Sequence, residues 1–297
     1  DVHDRLMIPG VNIHRRSTGS YATVPLVDQL ALANDIGIRS VRIDVYDAST
    51  ETKTFLSALI AAASPLGISV VPVLVEPPAS EATAPFRCYR WCYDTARKLA
   101  QAFPQMTWEA GNELNFRCIK PGVDGSLPEH YDDAKYQIVK AAIIGMYAGF
   151  KSASDAPVGI GTAGIQFGFL DRLQEDYVNG VRWDITTWHI YVPPGAPKAE
   201  IEAGAGQYLT KLASYGKPIA VTEYNQQDGH LSTQSAQTLV DMAAVLAGFA
   251  ASHNVIAAYA YELLDEPGLP GGEATYGLCS TSGVRNSLGN ALKTHLE

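Results

Sequence analysis

The chain has 297 residues, of which 46% are hydrophobic and 18% are charged, a composition typical of globular proteins and foreign to disordered ones. Acidic residues outnumber basic ones by 31 to 22, so the formal net charge is −9. Such a charge repels nucleic acids and anionic membrane surfaces, and we expect neither as a partner. The apolar run of the last long helical segment, residues 242–251, is about half the roughly 20 residues that a membrane span needs.

One rhythm repeats eight times along the chain: a short β-branched run, a polar or Gly/Pro-rich loop, and a helical pattern. The clearest helical patterns cover residues 131–154 and 232–252, the latter with Ser232 as its expected N-cap. Strands that alternate with single helices pair in parallel through right-handed crossovers. Eight such units in about 300 residues predict an α/β fold, a (β/α)8 TIM barrel, and we expect residues 1–297 to form one domain. The predicted strands span residues 6–14, 40–46, 68–76, 106–113, 158–163, 184–192, 219–224 and 255–264.

The loop sequences favour a barrel rather than an open nucleotide-binding sheet. The loop after the first predicted strand, residues 14–19, carries neither GxGxxG nor GxxxxGK. The Gly-rich stretch 159–164 is instead expected to be a buried strand that needs small residues. Long loops at 77–86, 117–129 and 266–276 all follow predicted strands, so they belong at the face where barrels hold their active sites.

Polar side chains gather at the carboxyl ends of the predicted strands. Alternation along strand seven places Ile219, Val221 and Glu223 on one face, which we expect to point into the barrel. Carboxylates at a barrel mouth lose water, so an unused pair there is costly unless a cation bridges it. The candidate site residues are His14, Arg42, Asp44, Glu76, Asn112, Glu113, His189, Tyr191, Glu223 and Tyr261.

Two of these strand ends carry a family resemblance that spans essentially the whole chain. Gly-Asn-Glu at residues 111–113, together with Glu223 at the end of strand seven, resembles clan A of the retaining glycoside hydrolases. Residues 261–267, Tyr-Glu-Leu-Leu-Asp-Glu-Pro, are similar to family 39-like members of that clan. The resemblance implies a retaining O-glycoside hydrolase that cleaves a β-linked oligo- or polysaccharide by double displacement. A barrel without an accessory β-sandwich favours an open groove, so we expect endo action, although blocking loops could form a pocket. It implies no cofactor and no metal.

The resemblance also implies a role for each glutamate. Glu113, which follows Asn112, would be the general acid/base, and Glu223 would be the nucleophile. Retaining hydrolysis needs two such carboxyls about 5 Å apart on opposite sides of the glycosidic bond. Many clan members read Asn-Glu-Pro where this chain has Leu114, which we interpret as a loop variation without chemical consequence.

The remaining candidates would hold the nucleophile or the sugar. By the resemblance, Arg42 keeps Glu223 ionised and Tyr191 hydrogen-bonds it. His189 binds sugar hydroxyls or supports that network. The other expected sugar contacts are Asn112 at the sugar 2-OH, Tyr261 as the floor of the subsite in place of the usual Trp (with Tyr259 as the alternative), Glu76 at a hydroxyl or as a helix cap, and His14 in the pocket lining.

Two other classes of function remain open at this point. A catalytically silent barrel could bind carbohydrate without cleaving it, although the intact pair Glu113 and Glu223 argues against that. A metal-dependent barrel hydrolase or isomerase could place a divalent ion among acidic and histidine side chains at the mouth. The sequence lacks a His-x-His on strand one, and the Asn-Glu context is foreign to such sites. The residues that could form that ring are Asp44, Glu76, Glu113, His189 and Glu223.

The cysteines are informative about whether the protein is secreted. No two of the four form the CxxC pair of a zinc site. Cys88 and Cys118 follow neighbouring strands, so we expect a disulfide between them, with Cys92 as the competing partner of Cys118 and Cys279 free. Four reduced cysteines, packed as small apolar residues, are the alternative. The sequence begins at Asp1 without a Met or a signal-like apolar run, and we expect a secreted or periplasmic monomer.

Overall fold

The computed structural model describes residues 7–176, 180–227, 229 and 235–297. Its eight strands form a closed parallel barrel in the order β1 to β8, so the predicted (β/α)8 TIM barrel is confirmed. The strands are β1 (Ile8–Ile13), β2 (Ser40–Val45), β3 (Ser69–Leu74), β4 (Trp108–Ala110), β5 (Val158–Ala163), β6 (Ile185–Val192), β7 (Ile219–Gln226) and β8 (Val255–Ala260).

Ten α-helices are found in the part of the chain that the structure describes. In that part, no helix is both long and apolar enough to cross a membrane. The predicted helix 232–252 is divided into two helices at Phe249, and its expected N-cap Ser232 lies outside the described residues. The helices are α1 (Ser20–Thr23), α2 (Leu26–Ile36), α3 (Thr50–Ala63), α4 (Pro85–Ala102), α5 (Asp133–Lys151), α6 (Phe167–Glu175), α7 (Lys198–Ala213), α8 (Ser235–Gly248), α9 (Ala250–His253) and α10 (Ser287–Leu296).

Two strands end three or more residues earlier than predicted. Strand β4 stops at Ala110 instead of residue 113, because Gly111 adopts a φ of 87° and Glu113 a φ of 48°, which extended backbone does not allow. Strand β8 stops at Ala260 instead of residue 264. The chain therefore leaves the sheet immediately before the polar residues that the sequence singles out.

The chain forms two compact units, and the first comprises Asp1–Ile43, Ser57–Val70 and His189–Glu297. Within it β1 pairs with β2 on one side and with β8 on the other, and Asn12 lies in register with Arg42. The ring of Tyr259 covers Gly10, where an added Cβ would lie 2.5 Å from Cε1 of that ring. Only glycine fits at this position, so the aromatic side chain can lie across β1.

The second unit comprises Asp44–Leu56 and Val71–Trp188. Its strands β3, β4 and β5 pair in parallel, with Val73 opposite Glu109 and Trp108 opposite Val158. Strand β5 is buried over its whole length and carries glycines, as expected. A Cβ on Gly161 would lie 2.7 Å from a carboxylate oxygen of Glu109 and would also collide with Thr187, which hydrogen-bonds that carboxylate at 2.5 Å.

The four cysteines are all described residues, and all are buried and free. The predicted disulfide of Cys118 with Cys88 or Cys92 is therefore wrong, and the alternative of four packed thiols is the state observed. Cys88 and Cys92 lie on the buried face of α4 and hydrogen-bond each other. Cys118 instead donates to the Asn115 carbonyl oxygen at 3.4 Å. Without the disulfide, the cysteines no longer support the prediction that the protein is secreted.

Candidate active site

The side chain of Glu223, on β7, is surrounded by three polar groups of the first unit. Its Oε1 accepts a hydrogen bond from Arg42 Nη1 at 2.9 Å, and its Oε2 accepts one from the Tyr191 hydroxyl at 2.7 Å. His189 Nδ1 lies 3.3 Å from the same Oε2. Because Glu223 is only 7% exposed, these groups replace most of its water. The structure thus brings Arg42, His189 and Tyr191 together at one carboxylate, and the roles expected for them stay predictions.

Arg42 is itself buried, with 2% of its surface exposed, and it is held from behind by Asn12. The Asn12 Oδ1 accepts from Arg42 Nη1 at 2.9 Å, while its Nδ2 donates to the carbonyl oxygens of Thr222 at 3.0 Å and Ala260 at 3.3 Å. Asn12 thus fixes the guanidinium to the backbones of β7 and β8. Asn12 is not among the predicted site residues, although its position on β1, two residues before His14, is the signal that could have found it.

Tyrosines and a histidine form an edge-to-face cluster beside Glu223. The ring of Tyr261 lies 6.4 Å from that of Tyr191, 5.6 Å from that of Tyr276 and 5.6 Å from that of His14, measured between centroids. Tyr276, at the end of a long loop, is a further residue that the sequence analysis missed. By contrast, the Tyr259 hydroxyl lies 2.9 Å from that of Ser40, beneath this layer. Of the two tyrosines considered for a subsite floor, Tyr261 is the one against the Glu223 cluster.

Glu113 belongs to the second unit and begins a short 3-10 helix, Leu114–Arg117, directly after β4. The turn before it is anchored to the end of β3, because Gly111 donates to the Leu74 carbonyl at 2.9 Å and Asn112 to that of Val75 at 3.1 Å. Glu113 is half-buried and adopts left-handed backbone, which is uncommon for any residue but glycine and often marks functional sites.

Leu114 packs beneath the turn that precedes Glu113. Its side chain is 2% exposed and packs beneath Gly111, where an added Cβ would lie 2.7 Å from the Leu114 Cγ. Glycine at 111 and leucine at 114 therefore fit each other. Together they set the backbone that presents Asn112 and Glu113.

Glu76 follows β3 and forms an ion pair with Arg117, the last residue of the 3-10 helix after Glu113. In the same region Asn115 donates a hydrogen bond to the Gln166 side chain. These contacts join the loops after β3, β4 and β5 into one rim. Glu76 thus contributes to the rim that carries Glu113, and its partner is a protein cation.

The sequence of the second half of the chain matches a known family model. Residues 151–291 match the model described as "Glycosyl hydrolase catalytic core", a segment that includes Glu223 and its neighbours His189, Tyr191 and Tyr261. On this match, the chain is an O-glycoside hydrolase. No curated protein sequence matches it.

Solved structures resemble this glycosidase along nearly its full length. A family 1 β-glucosidase from Thermotoga maritima has a TM-score of 0.72 at 11% identity, with 98% of this chain and 97% of that chain covered. An exo-β-1,4-mannosidase, Op5Man5 from an Opitutaceae bacterium, has 0.69 at 14%, with 98% and 59% covered. The β-glycosidase BGL167 has 0.66 at 14%, with 100% and 97% covered. At these identities the likenesses show the fold of the glycosidase, and the resemblance to family 39-like members stays a prediction.

Proposed function

We propose that the chain is a retaining clan A glycoside hydrolase that cleaves a β-linked glycan, with Glu223 as its nucleophile. The observation that carries the proposal is the cage around Glu223: Arg42 at 2.9 Å on one oxygen and Tyr191 at 2.7 Å on the other. A buried guanidinium requires an anionic partner, which favours an ionised Glu223. Both oxygens are held, so the carboxylate is oriented before a substrate arrives.

Glu113 is proposed as the general acid/base. Its support is the Asn-Glu motif, its left-handed backbone, and the strand order of the closed barrel, since the active sites of TIM barrels are built from residues at the carboxyl ends of several strands. A half-buried carboxyl suits a group that must hold a proton at rest and exchange it with water later.

The proposed reaction has two steps. First, a Glu223 oxygen attacks the anomeric carbon, the glycosidic C–O bond breaks, and the Glu113 proton passes to the leaving oxygen. Second, Glu113, now a carboxylate, takes a proton from water while the water oxygen attacks the anomeric carbon. The ester bond to Glu223 breaks, and the sugar leaves with its original configuration.

The other candidate residues are assigned roles according to whether they face Glu223 or the expected position of the sugar. Arg42, His189 and Tyr191 are proposed to act through Glu223, whose oxygens they face. Asn112 and Tyr261 are proposed to contact the sugar, at its 2-OH and on its ring face. His14, whose ring is edge-on to Tyr261, is proposed to support that floor, and Glu76 to reach a sugar hydroxyl together with Arg117.

Endo action is proposed from the surface of the rim. Phe86 and Phe116, in the segments that follow β3 and β4, are 69% and 47% exposed. Exposed aromatic faces at a barrel mouth can support further sugar units of a polymer. The substrate is therefore proposed to be a polysaccharide or a long oligosaccharide.

The experiment uses aryl β-glycosides and β-glucans of different linkage, with a 2-deoxy-2-fluoro glycosyl donor of the preferred sugar. We expect the donor to label Glu223 covalently and Glu223→Gln to abolish hydrolysis. Glu202→Gln, at an exposed position of α7, should leave hydrolysis unchanged. A label on another residue, or product of inverted configuration by NMR, contradicts the retaining mechanism. Glycan binding without turnover supports the silent barrel.

Glu113→Ala tests the acid/base. We expect roughly a 10²–10⁴-fold loss on natural glycans, whose leaving groups need a proton, and a much smaller loss on activated aryl glycosides. Azide should restore turnover and yield a β-glycosyl azide, because it replaces the base-assisted water step. Equal losses on both substrate classes without azide rescue count against this role.

A further inference from the structure

A second cluster of ionisable side chains lies in the first unit, outside the cage of Glu223. His14 follows β1, and Glu262 and Glu266 follow β8; they are 7%, 0% and 5% exposed. One ligating atom from each lies within 4.8 Å of the other two, and His14 Nε2 is 3.3 Å from Glu262 Oε2. The proposed reaction uses neither glutamate.

The cluster brings two carboxylates close together. Arg16 Nε lies 3.5 Å from Glu266 Oε2, but the Arg16 side chain is a third exposed, whereas both glutamates are buried. In the described part of the chain, His14 and the Tyr21 hydroxyl both face Glu262, but no donor reaches either oxygen of Glu262, or Oε2 of Glu266, with the geometry of a normal hydrogen bond. Burial raises the pKa of Glu262, and the charge of Glu266 acts in the same direction, whereas His14 lowers it. Buried acceptors without donors are costly, so the arrangement favours an added cation.

The donor set indicates which cation fits. One imidazole nitrogen and two carboxylate oxygens are ligands of zinc and of other borderline divalent metals, while calcium and magnesium prefer oxygen alone. Bonds of about 2.1 Å in a tetrahedron place neighbouring ligand atoms roughly 3.4 Å apart. The 3.3 Å between His14 Nε2 and Glu262 Oε2 has this length.

We propose that His14, Glu262 and Glu266 bind one Zn²⁺ ion, with water as a fourth ligand. The ion would neutralise both carboxylates and tie the end of β1 to the segment after β8. Tyr21 flanks the site, with its ring 5.3 Å from that of His14 and its hydroxyl accepting the Leu264 N–H at 3.0 Å. This is a structural site, and its occupancy does not depend on the proposed glycosidase mechanism.

The test titrates ZnSO₄ into chelator-treated full chain without substrate, followed by calorimetry and thermal unfolding. We expect one equivalent of saturable binding and a rise in Tm, because a ligand that binds only the folded state stabilises it. Co²⁺ at the same site should give the visible d–d bands of a tetrahedral complex. Absence of saturable Zn²⁺ binding overturns the proposal, and tighter binding of Ca²⁺ than of Zn²⁺ overturns the assignment of the metal.

Two variants test whether the ion binds at the proposed site. Glu262→Gln keeps the shape of the side chain and removes the charge, and we expect at least about tenfold weaker Zn²⁺ binding. His130→Gln, which alters a histidine paired with Asp124 elsewhere on the chain, should bind Zn²⁺ as the wild type does. Equal affinity in Glu262→Gln and wild type rejects this site. If Glu262→Gln does not fold, the Co²⁺ spectrum of the wild type decides, since an octahedral all-oxygen spectrum contradicts histidine ligation.

Discussion

Arg42 and Glu223 are 181 positions apart in the sequence, and their side chains meet at 2.9 Å with little of either exposed. The contact joins β2 to β7, and Asn12 on β1 holds the arginine from the other side. An ion pair this far from water stabilises the fold only when its geometry is good and its remaining hydrogen bonds are made. The same contacts orient the Glu223 carboxylate, as its proposed role as nucleophile requires.

Arg42→Lys keeps the charge and loses the planar guanidinium, whose Nη1 contacts both Glu223 and Asn12. We expect kcat to fall about 10–100-fold with little change in KM, because the ammonium of a flexible lysine does not reproduce the position of Nη1. Steady-state kinetics on an aryl glycoside measure this. Arg39→Lys, at an exposed position, is the matched control. An unchanged kcat in Arg42→Lys shows that charge alone is enough.

Tyr191→Phe removes only the hydroxyl that donates to Glu223 Oε2. A hydrogen bond to a charged group contributes about 1.5–3 kcal/mol, so we expect kcat/KM to fall roughly 10–100-fold while the Tm stays close to that of the wild type. Tyr208→Phe on α7 is the control for loss of a tyrosine hydroxyl elsewhere. A large drop in Tm with full activity in the folded fraction assigns Tyr191 to packing instead.

Gly111→Ala tests the turn that presents Glu113. Its φ of 87° disfavours alanine, and the new Cβ would meet Leu114. Gly122→Ala has a similar φ of 78° with nothing within 4 Å, so it carries the backbone cost alone. We expect Gly111→Ala to lose about 1–3 kcal/mol more unfolding free energy than Gly122→Ala in urea titrations, as overpacking does. Equal losses would mean that Leu114 moves aside freely.

The thiols provide a test of the cysteine state. Burial raises the pKa of Cys118 and of Cys279 to about 12, so both stay protonated and unreactive at neutral pH. We expect almost no thiol titration with Ellman's reagent in the native protein and four equivalents in denaturant without reductant, since all four cysteines are free. Two equivalents under denaturing conditions would restore the disulfide that the sequence suggested.

The sequence was informative where a pattern is local or periodic. The alternation of strands and helices predicts the barrel, and β5 is found with the predicted bounds at Val158–Ala163. Arg42, Tyr191 and His189 could be assigned to Glu223 because the family resemblance gives each a role and each lies on a strand of the predicted barrel.

What the sequence could not show depends on contacts between distant segments. Asn12 looks like any polar residue on a strand until its bonds to Thr222 and Ala260 are seen. The early end of β4 depends on Leu114 filling the space below Gly111. The cysteine prediction failed because following neighbouring strands does not bring two thiols within bonding distance or orient them toward each other.

The two units differ in the number of chain segments that form them. The second is largely one stretch, Val71–Trp188, whereas the first gathers three separate stretches. During synthesis at about 5–20 residues per second, the ribosome therefore needs about 10–35 s after adding Arg42 before Glu223 exists. A nascent chain in that interval holds a guanidinium without its counter-ion. The cage around Glu223 can close only after residue 223 has been added, so a chain stopped before that residue cannot bury Arg42 against its partner.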